Sequence, residues 1–187
     1  MGLLLIEIPT LAVERAEVDQ LIERLIPAVT LGGAAIVESR VTADLKRLFV
    51  VVEAEVPTTA EVPTTAEVST IEALRAALAA EDIEVEDVAA VRLVGADLDE
   101  VKAEAAGSPR YLVEWDLPPE LTMDTYLARK KAKSPLYAEI PEVAFRRTYV
   151  REDLGKCLCF YDAPCVEDVE RARDVVSAPI DRLHELA

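Results

Sequence analysis

The most reactive side chains of the sequence lie close together in its last third. Cys157 and Cys159 are separated by one residue, which places them on one face of a strand, and Cys165 follows after a short loop. Structural metal sites usually combine four Cys or His ligands, whereas this chain has one histidine, His184. We therefore predict that the cysteines pack in the core, with a metal or redox role as the alternative. His184 has no evident nucleophile or second ligand in the sequence and is expected at the surface or a strand edge.

Two carboxylates occupy unusual positions. Glu7 and Glu114 lie in the centres of two short apolar segments, where an unpaired carboxylate would be costly to bury. We expect salt bridges there, with Arg40, Arg146 or Arg147 as possible partners. Coordination of a hard cation is the alternative.

The second half of the chain is also richer in aromatic side chains than the first. A cavity for a flat organic ligand would be lined there, although ordinary divergence of a core explains the same bias. The sequence contains no glycine-rich phosphate loop, nucleophile elbow or His-Glu zinc motif. The candidate ligand-binding residues, all predicted to lie between two sheets, are Glu7, Glu114, Arg147, Tyr149, Cys159 and Tyr161. No residue is predicted to bind a metal.

An internal repeat supplies the elements that position these residues. Three segment pairs align by residue type and apolar periodicity: 4–8 with 111–115, 41–54 with 150–163, and 69–78 with 164–173. Each copy has the pattern strand, amphipathic helix, two strands, helix, strand, and Thr122 is a suitable N-cap for the first helix of the second copy. The predicted fold is α+β, with two tandem ferredoxin-like β-α-β-β-α-β repeats.

The central strands predict how the repeats pack. They are apolar on both faces, so one face can cover the repeat's own helices while the other needs a partner. We predict sheet-to-sheet packing as a pseudo-dimer of the dimeric α/β-barrel type, with a second chain as the alternative partner. The predicted domains are residues 1–103 and 109–187. The duplicated hexapeptide in "EVPTTAEVPTTAEV", residues 55–68, is predicted to be a loop insertion in the first copy.

Composition limits the classes of partner. The formal net charge is −16, which disfavours nucleic acid and anionic membrane surfaces. The basic run "RKKAK" at 129–133 is predicted to be a solvated helix face. No apolar segment approaches the length of a membrane span. The first residues are predicted to form a strand and do not resemble a signal peptide. Together with the odd number of cysteines, this predicts a cytoplasmic protein with free thiols.

The second copy resembles a family of small bacterial domains that includes an actinobacterial nickel-binding protein with a ferredoxin-like dimeric fold. The resemblance covers about residues 110–187 and is carried by "YLVE", by "TYV" before an acidic turn, by Cys159 with Tyr161 and the following Ala-Pro, and by Ala178-Pro179 before Arg182. It implies the fold, self-association and a possible nickel site. Two positions where members of the family often carry histidine hold Arg147 and Ala172 here. We therefore transfer no metal ligand.

These observations predict a non-catalytic cytoplasmic binding or assembly module. Its expected partner is a protein or a second copy of the chain, or else a small molecule, and no cofactor is expected. A nickel-type metal-binding protein is one alternative. The other is a small enzyme that uses an inter-sheet cavity, with Cys159, Tyr161 or His184 as acid, base or nucleophile.

Overall fold

The structure is a computed structural model that describes residues 1–55, 65–104 and 109–187. Within these ranges no helix is long and apolar enough to cross a membrane. Contacts divide the chain into two compact units, residues 1–92 with Ala187, and residues 93–186. The repeat boundary predicted between residues 103 and 109 concerns sequence similarity and stays a prediction.

The first unit contains one copy of the predicted pattern. In chain order its elements are β1 (Gly2–Pro9), α1 (Arg15–Leu31), β2 (Ala34–Val41), β3 (Arg47–Ala54), α2 (Thr65–Ala80) and β4 (Asp87–Val94). The strands follow the order β2-β3-β1-β4, and β1 pairs with both β3 and β4 in antiparallel register. Every residue of β1 except its last is buried, which explains the nearly continuous apolar run of that strand.

The second unit repeats this arrangement after a short additional helix. Its elements are α3 (Leu98–Ala103), β5 (Tyr111–Asp116), α4 (Met123–Lys133), a 3-10 helix (Ser134–Glu139), β6 (Ala144–Arg151), β7 (Lys156–Asp162), α5 (Val166–Val175) and β8 (Arg182–Glu185). The strand order is β6-β7-β5-β8, which corresponds to that of the first unit. The α3 helix and the 3-10 helix were not predicted.

The two copies share even their backbone irregularities. Leu45 and Leu154, aligned in the β2–β3 and β6–β7 turns, both adopt φ 58°. Register shifts also recur at aligned places, between Ile36 and Glu38 in β2 and between Phe145 and Arg147 in β6. The left-handed backbone conformation costs a leucine residue free energy and is rare for residues other than glycine. Its recurrence at equivalent positions therefore supports the tandem repeat independently of side-chain similarity.

The turns that follow helices α2 and α5 are alike, and they contain Asp82 and Ser177, which the repeat also aligns. Both residues have positive φ, 52° and 53°, where glycine is preferred. Replacing Ser177 with Gly is expected to raise the free energy of unfolding by about 1 kcal/mol, because the strain of a left-handed non-glycine residue is removed. Urea denaturation measures the change, and Asp82→Gly is the matched test in the first copy. A loss of stability in both variants would contradict the interpretation.

The predicted loop at 55–68 needs a correction at its C-terminal end. Residues 65–68 form the first turn of α2 instead of a loop. Alanine and glutamate in "TAEV" favour a helix, and the helix continues the apolar periodicity of the residues that follow. Residues 56–64 of the predicted loop lie outside the described residues.

Candidate functional site

A cleft opens in the second unit on the side of the sheet that faces its helices. It contains 420 Å³ of empty space, including the part open to solvent. The cleft is bounded by β5, β7, α4, α5 and the 3-10 helix, and its lining includes Trp115, Tyr126, Lys130, Tyr137, Cys159 and Arg173. It thus combines aromatic surface and a thiol with four cations, since Arg129 and Lys133 also line it.

The α4 helix brings Lys130 into this cleft. The helix begins at the predicted N-cap, Thr122, whose hydroxyl accepts a hydrogen bond from the Thr125 amide at 3.3 Å. Tyr126 is buried against the core, and Lys130 lies one turn further along the same face. Lys130 Nζ donates to Thr148 Oγ1 at 2.7 Å and lies 4.1 Å from the centre of the Phe145 ring. Burial lowers the pKa of Lys130.

Arg173 enters the cleft from α5. It is 3% exposed, and its Nη1 donates to Tyr161 Oη at 3.3 Å and to Cys159 Sγ at 3.4 Å. Its Nη2 donates to the carbonyl of Pro179, just after the helix ends. Its Nε has no hydrogen-bond partner in the part of the chain that the structure describes. A buried guanidinium with an unused donor is costly and therefore unusual in a purely structural role.

Neither Lys130 nor Arg173 forms an ion pair with a carboxylate among residues 1–55, 65–104 and 109–187. The recorded ion pairs of the second unit involve other bases. The prediction that 129–133 is a solvated helix face is therefore wrong for Lys130, although Lys131 is exposed as expected. The physical reason is helical phase, because residue 130 shares its face with the buried Tyr126.

Cys159 lies between the two cations. It is 1% exposed, and Thr148 Oγ1 donates to its Sγ at 3.2 Å. A hydrogen bond from the Cys157 thiol, helped by the Lys130 and Arg173 charges, lowers the pKa of Cys159 against the effect of burial. The same contact raises the pKa of Cys157. The predicted core position of Cys157 and Cys159 is confirmed, while Cys165 is only partly buried.

Tyr137 lines the cleft and contacts Tyr161 and Phe145. The hydroxyls of Tyr137 and Tyr161 are hydrogen-bonded at 2.8 Å, and the Tyr137 ring stacks on Phe145 with centroids 5.2 Å apart. Burial raises the pKa of Tyr137 to about 12, and burial also raises that of Tyr161. Both hydroxyls are therefore neutral hydrogen-bonding groups at pH 7.

The first copy provides an internal comparison for this cluster. The repeat aligns Trp115, Cys159, Tyr161 and Arg173 of the second copy with Ile8, Val50, Val52 and Leu78. All four of these first-copy residues are buried apolar side chains of the core. The second copy thus has polar and aromatic groups at positions where the first copy has a hydrocarbon core. Sequence reasoning missed Lys130 and Arg173, although the alignment of an arginine with a leucine was an available signal.

The six predicted site residues do not form one cluster. Cys159 and Tyr161 face the helices and meet at Arg173. Arg147 and Tyr149 lie on the opposite face of the sheet, because the register shift after Phe145 reverses the alternation of β6. There both contact Phe160: the Arg147 guanidinium lies 5.1 Å from the ring centre, and the Tyr149 ring lies edge-on at 5.9 Å. Whether any of the six binds a ligand stays a prediction.

Arg147 also belongs to a buried ion pair. Its Nη1 lies 2.6 Å from Glu104 Oε2, and Arg146 Nη2 lies 2.7 Å from the other carboxylate oxygen. Burial opposes ionisation of Glu104, but the two arginines outweigh it and lower its pKa. A second cavity, of about 350 Å³, borders this group. The single carboxylate of Glu104 thus compensates one of the two arginine charges.

Glu114 is the most thoroughly buried acid and has three basic neighbours. Its oxygens lie 2.7 Å from Lys156 Nζ, 3.1 Å from Arg182 Nε and 2.8 Å from His184 Nε2. Burial alone would raise its pKa, but the hydrogen bonds from these groups lower it below its ordinary range. In the first unit Glu7 pairs with Arg47 at 2.8 Å. The predicted salt bridges are therefore present, but with Arg47 and Lys156 as partners, two residues that the repeat aligns, where Arg40, Arg146 or Arg147 was expected.

The described residues do not fit a nickel centre. Among them, no group of three or more His, Cys, Asp or Glu side chains is arranged to hold a metal ion. Cys157 and Cys159 are too few to complete a site, and the Lys130 and Arg173 cations would repel a divalent ion beside them.

Two solved structures can be compared with the chain over nearly its whole length. A candidate chlorite dismutase has a TM-score of 0.53 at 11% identity, with 100% of this chain and 95% of that chain covered. The siroheme decarboxylase NirDL has a TM-score of 0.47 at 10% identity, with 98% and 70% covered. At 11% identity the first match shows the fold alone. The first match confirms the α+β class with two ferredoxin-like units of the dimeric α/β-barrel type.

Sequence comparison is informative for the second unit. No curated protein is significantly similar to the chain. Residues 111–186 match the model of a family described as "Nickel responsive protein SCO4226-like", which confirms the resemblance carried by Cys159, Tyr161 and their neighbours. Residues 111–186 are therefore a domain of the SCO4226-like family.

Proposed function

We propose that the protein is a binding module whose second unit takes a small organic anion with a flat apolar body, such as an aromatic carboxylate. The observation that carries this proposal is the set of four cations that line one cleft, Arg129, Lys130, Lys133 and Arg173. None of them forms an ion pair with a carboxylate in the described part of the chain, so the cleft stays positive even when Cys159 is ionised. An anionic ligand would reduce this excess of positive charge.

The walls of the cleft favour an organic anion over a small inorganic one. Trp115, Tyr126 and Tyr137 supply aromatic surface that a small inorganic anion would not cover. A carboxylate could accept hydrogen bonds from the unused Nε of Arg173 and from Lys130. An apolar ring would then lie against the aromatic wall.

Calorimetric titration with benzoate tests this function, with benzyl alcohol as the uncharged analogue and inorganic phosphate as the anion without a ring. Benzoate is expected to bind most tightly. Lys130→Met should weaken benzoate binding by at least about tenfold, because a cation in a low-dielectric cleft is lost. Lys131→Met is the matched control, since Lys131 is exposed in the same helix. The affinity of this variant for benzoate should equal that of the unmodified protein.

Equal binding of benzoate and benzyl alcohol would contradict the proposal, as would unchanged benzoate affinity in Lys130→Met. Tighter binding of phosphate than of benzoate would contradict an organic ligand and indicate an inorganic anion. The alternative of a nickel-binding protein is not supported by the residues described above. The alternative of an enzyme that uses an inter-sheet cavity stays a prediction.

A further inference from the structure

A second property of the cleft concerns its sulfur atom and goes beyond ligand binding. Cys159 Sγ has hydrogen-bond donors on several sides: Thr148 Oγ1 at 3.2 Å, Arg173 Nη1 at 3.4 Å and the Cys157 thiol at 3.9 Å. Lys130 Nζ contacts the same Thr148 oxygen at 2.7 Å and adds a second positive charge. No acid among the described residues forms an ion pair with either cation, so the field at the sulfur is positive.

The other two cysteines lack this environment. Cys157 donates its proton toward Cys159, which raises the pKa of Cys157. For Cys165, a backbone hydrogen bond from Asp168 lowers the pKa, but the side chains of Glu167 and Asp168 raise it more. The thiolate is the reactive form of cysteine, and positive neighbours favour it while negative neighbours oppose it. The three thiols thus differ in chemistry and not only in exposure.

We propose that Cys159 is a site of oxidation by hydrogen peroxide, reached through the cleft. The thiolate sulfur attacks one peroxide oxygen, so an S–O bond forms while the O–O bond breaks. Sulfur loses two electrons and becomes a sulfenic acid, and the departing hydroxide takes a proton from solvent to become water. The Arg173 side chain, whose Nε has no partner in the described part of the chain, offers a donor for the new oxygen.

Exposure alone would predict the opposite order of reactivity. Cys159 is 1% exposed, whereas Cys165 is partly exposed at the start of α5. However, Cys159 lines the cleft, and hydrogen peroxide is scarcely larger than water. The electrostatic setting is therefore expected to decide the rate.

Trapping with dimedone after hydrogen peroxide treatment tests the proposal in the full-length protein. One variant retains only Cys159, with Cys157→Ser keeping a donor beside it and Cys165→Ser, and another retains only Cys165. The Cys159 protein is expected to react at least about tenfold faster. Adding Lys130→Met to it should lower that rate at least about fivefold, while adding Lys131→Met leaves it unchanged.

The unmodified protein provides a measurement that does not depend on the folding of any variant. All three cysteines lie between Lys156 and Arg171, so one tryptic peptide contains them, and its fragment ions locate the label. Early label on Cys159 supports the proposal. Early label on Cys165, or a Cys159 rate equal to that of free glutathione, overturns it.

Discussion

Replacing Glu114 with Gln is expected to lower the free energy of unfolding by about 3 kcal/mol. The substitution keeps the shape of the side chain but removes its negative charge. Glu114 is fully buried, and this charge compensates those of Lys156 and Arg182. Lys156 is itself largely buried, so it would lose the acid at 2.7 Å. Urea denaturation followed by circular dichroism measures the change.

The matched control is Glu185→Gln, because Glu185 is an exposed acid in the same strand as His184. Its effect is expected within about 0.5 kcal/mol of zero. The variant Glu114→Gln could instead lose no more free energy of unfolding than Glu185→Gln. Such a result would show that Glu114 and its basic neighbours make no net contribution to stability.

Acidification should remove the same contribution. The pKa of Glu114 is lower in the folded protein than in the unfolded chain, so its stabilising effect is fully present above the unfolded value of about 4.3. The effect is lost as the pH falls below that value toward the folded pKa. The stability difference between the unmodified protein and Glu114→Gln should thus be fully present at about pH 5 and shrink below about pH 4. A difference that grows from pH 5 to pH 3 would contradict this assignment.

The second large effect is expected at Glu104. The substitution Glu104→Gln should lower the free energy of unfolding by about 3 kcal/mol, because it removes the carboxylate that lies 2.6 Å from the buried Arg147 guanidinium. Arg147→Met should cost only about 1 kcal/mol, since it replaces a buried charge by an apolar chain of similar length and leaves Glu104 its contact with Arg146. Thermal and urea unfolding of both variants measure this asymmetry.

Arg146→Met controls for the more exposed partner. Its side chain is 40% exposed, and loss of such a pair is expected to cost about 0.5 kcal/mol. A larger loss in Arg147→Met than in Glu104→Gln would reverse the inferred order and would indicate that packing of Arg147 on Phe160 dominates.

The fold was predictable because it depends on patterns that are local in sequence. Apolar strands and amphipathic helices recur at fixed offsets, and those offsets also match the left-handed residues at Leu45 and Leu154. Thr122 was recognisable as an N-cap from its place before Asp124 and Thr125. Such features need no knowledge of distant contacts.

The candidate site was only partly predictable, because it depends on sheet faces and helix phase. A single register shift in β6 sends Arg147 and Tyr149 away from Phe145, which simple alternation would not reveal. Lys130 belongs to a basic run that would ordinarily be solvated, and only its position one turn after Tyr126 shows otherwise. The partners of Glu114 come from β7 and β8 and require the strand register.

Tandem duplication has a consequence here. Because two copies of one fold share a chain, one copy can have an ordinary hydrocarbon interior while the other carries polar and aromatic groups. The triple change Cys159→Val, Tyr161→Val and Arg173→Leu would place in the second copy the residues that the first copy has at the aligned positions. The first copy thus specifies a variant of the second that lacks the thiol, the phenol and the guanidinium but keeps the fold.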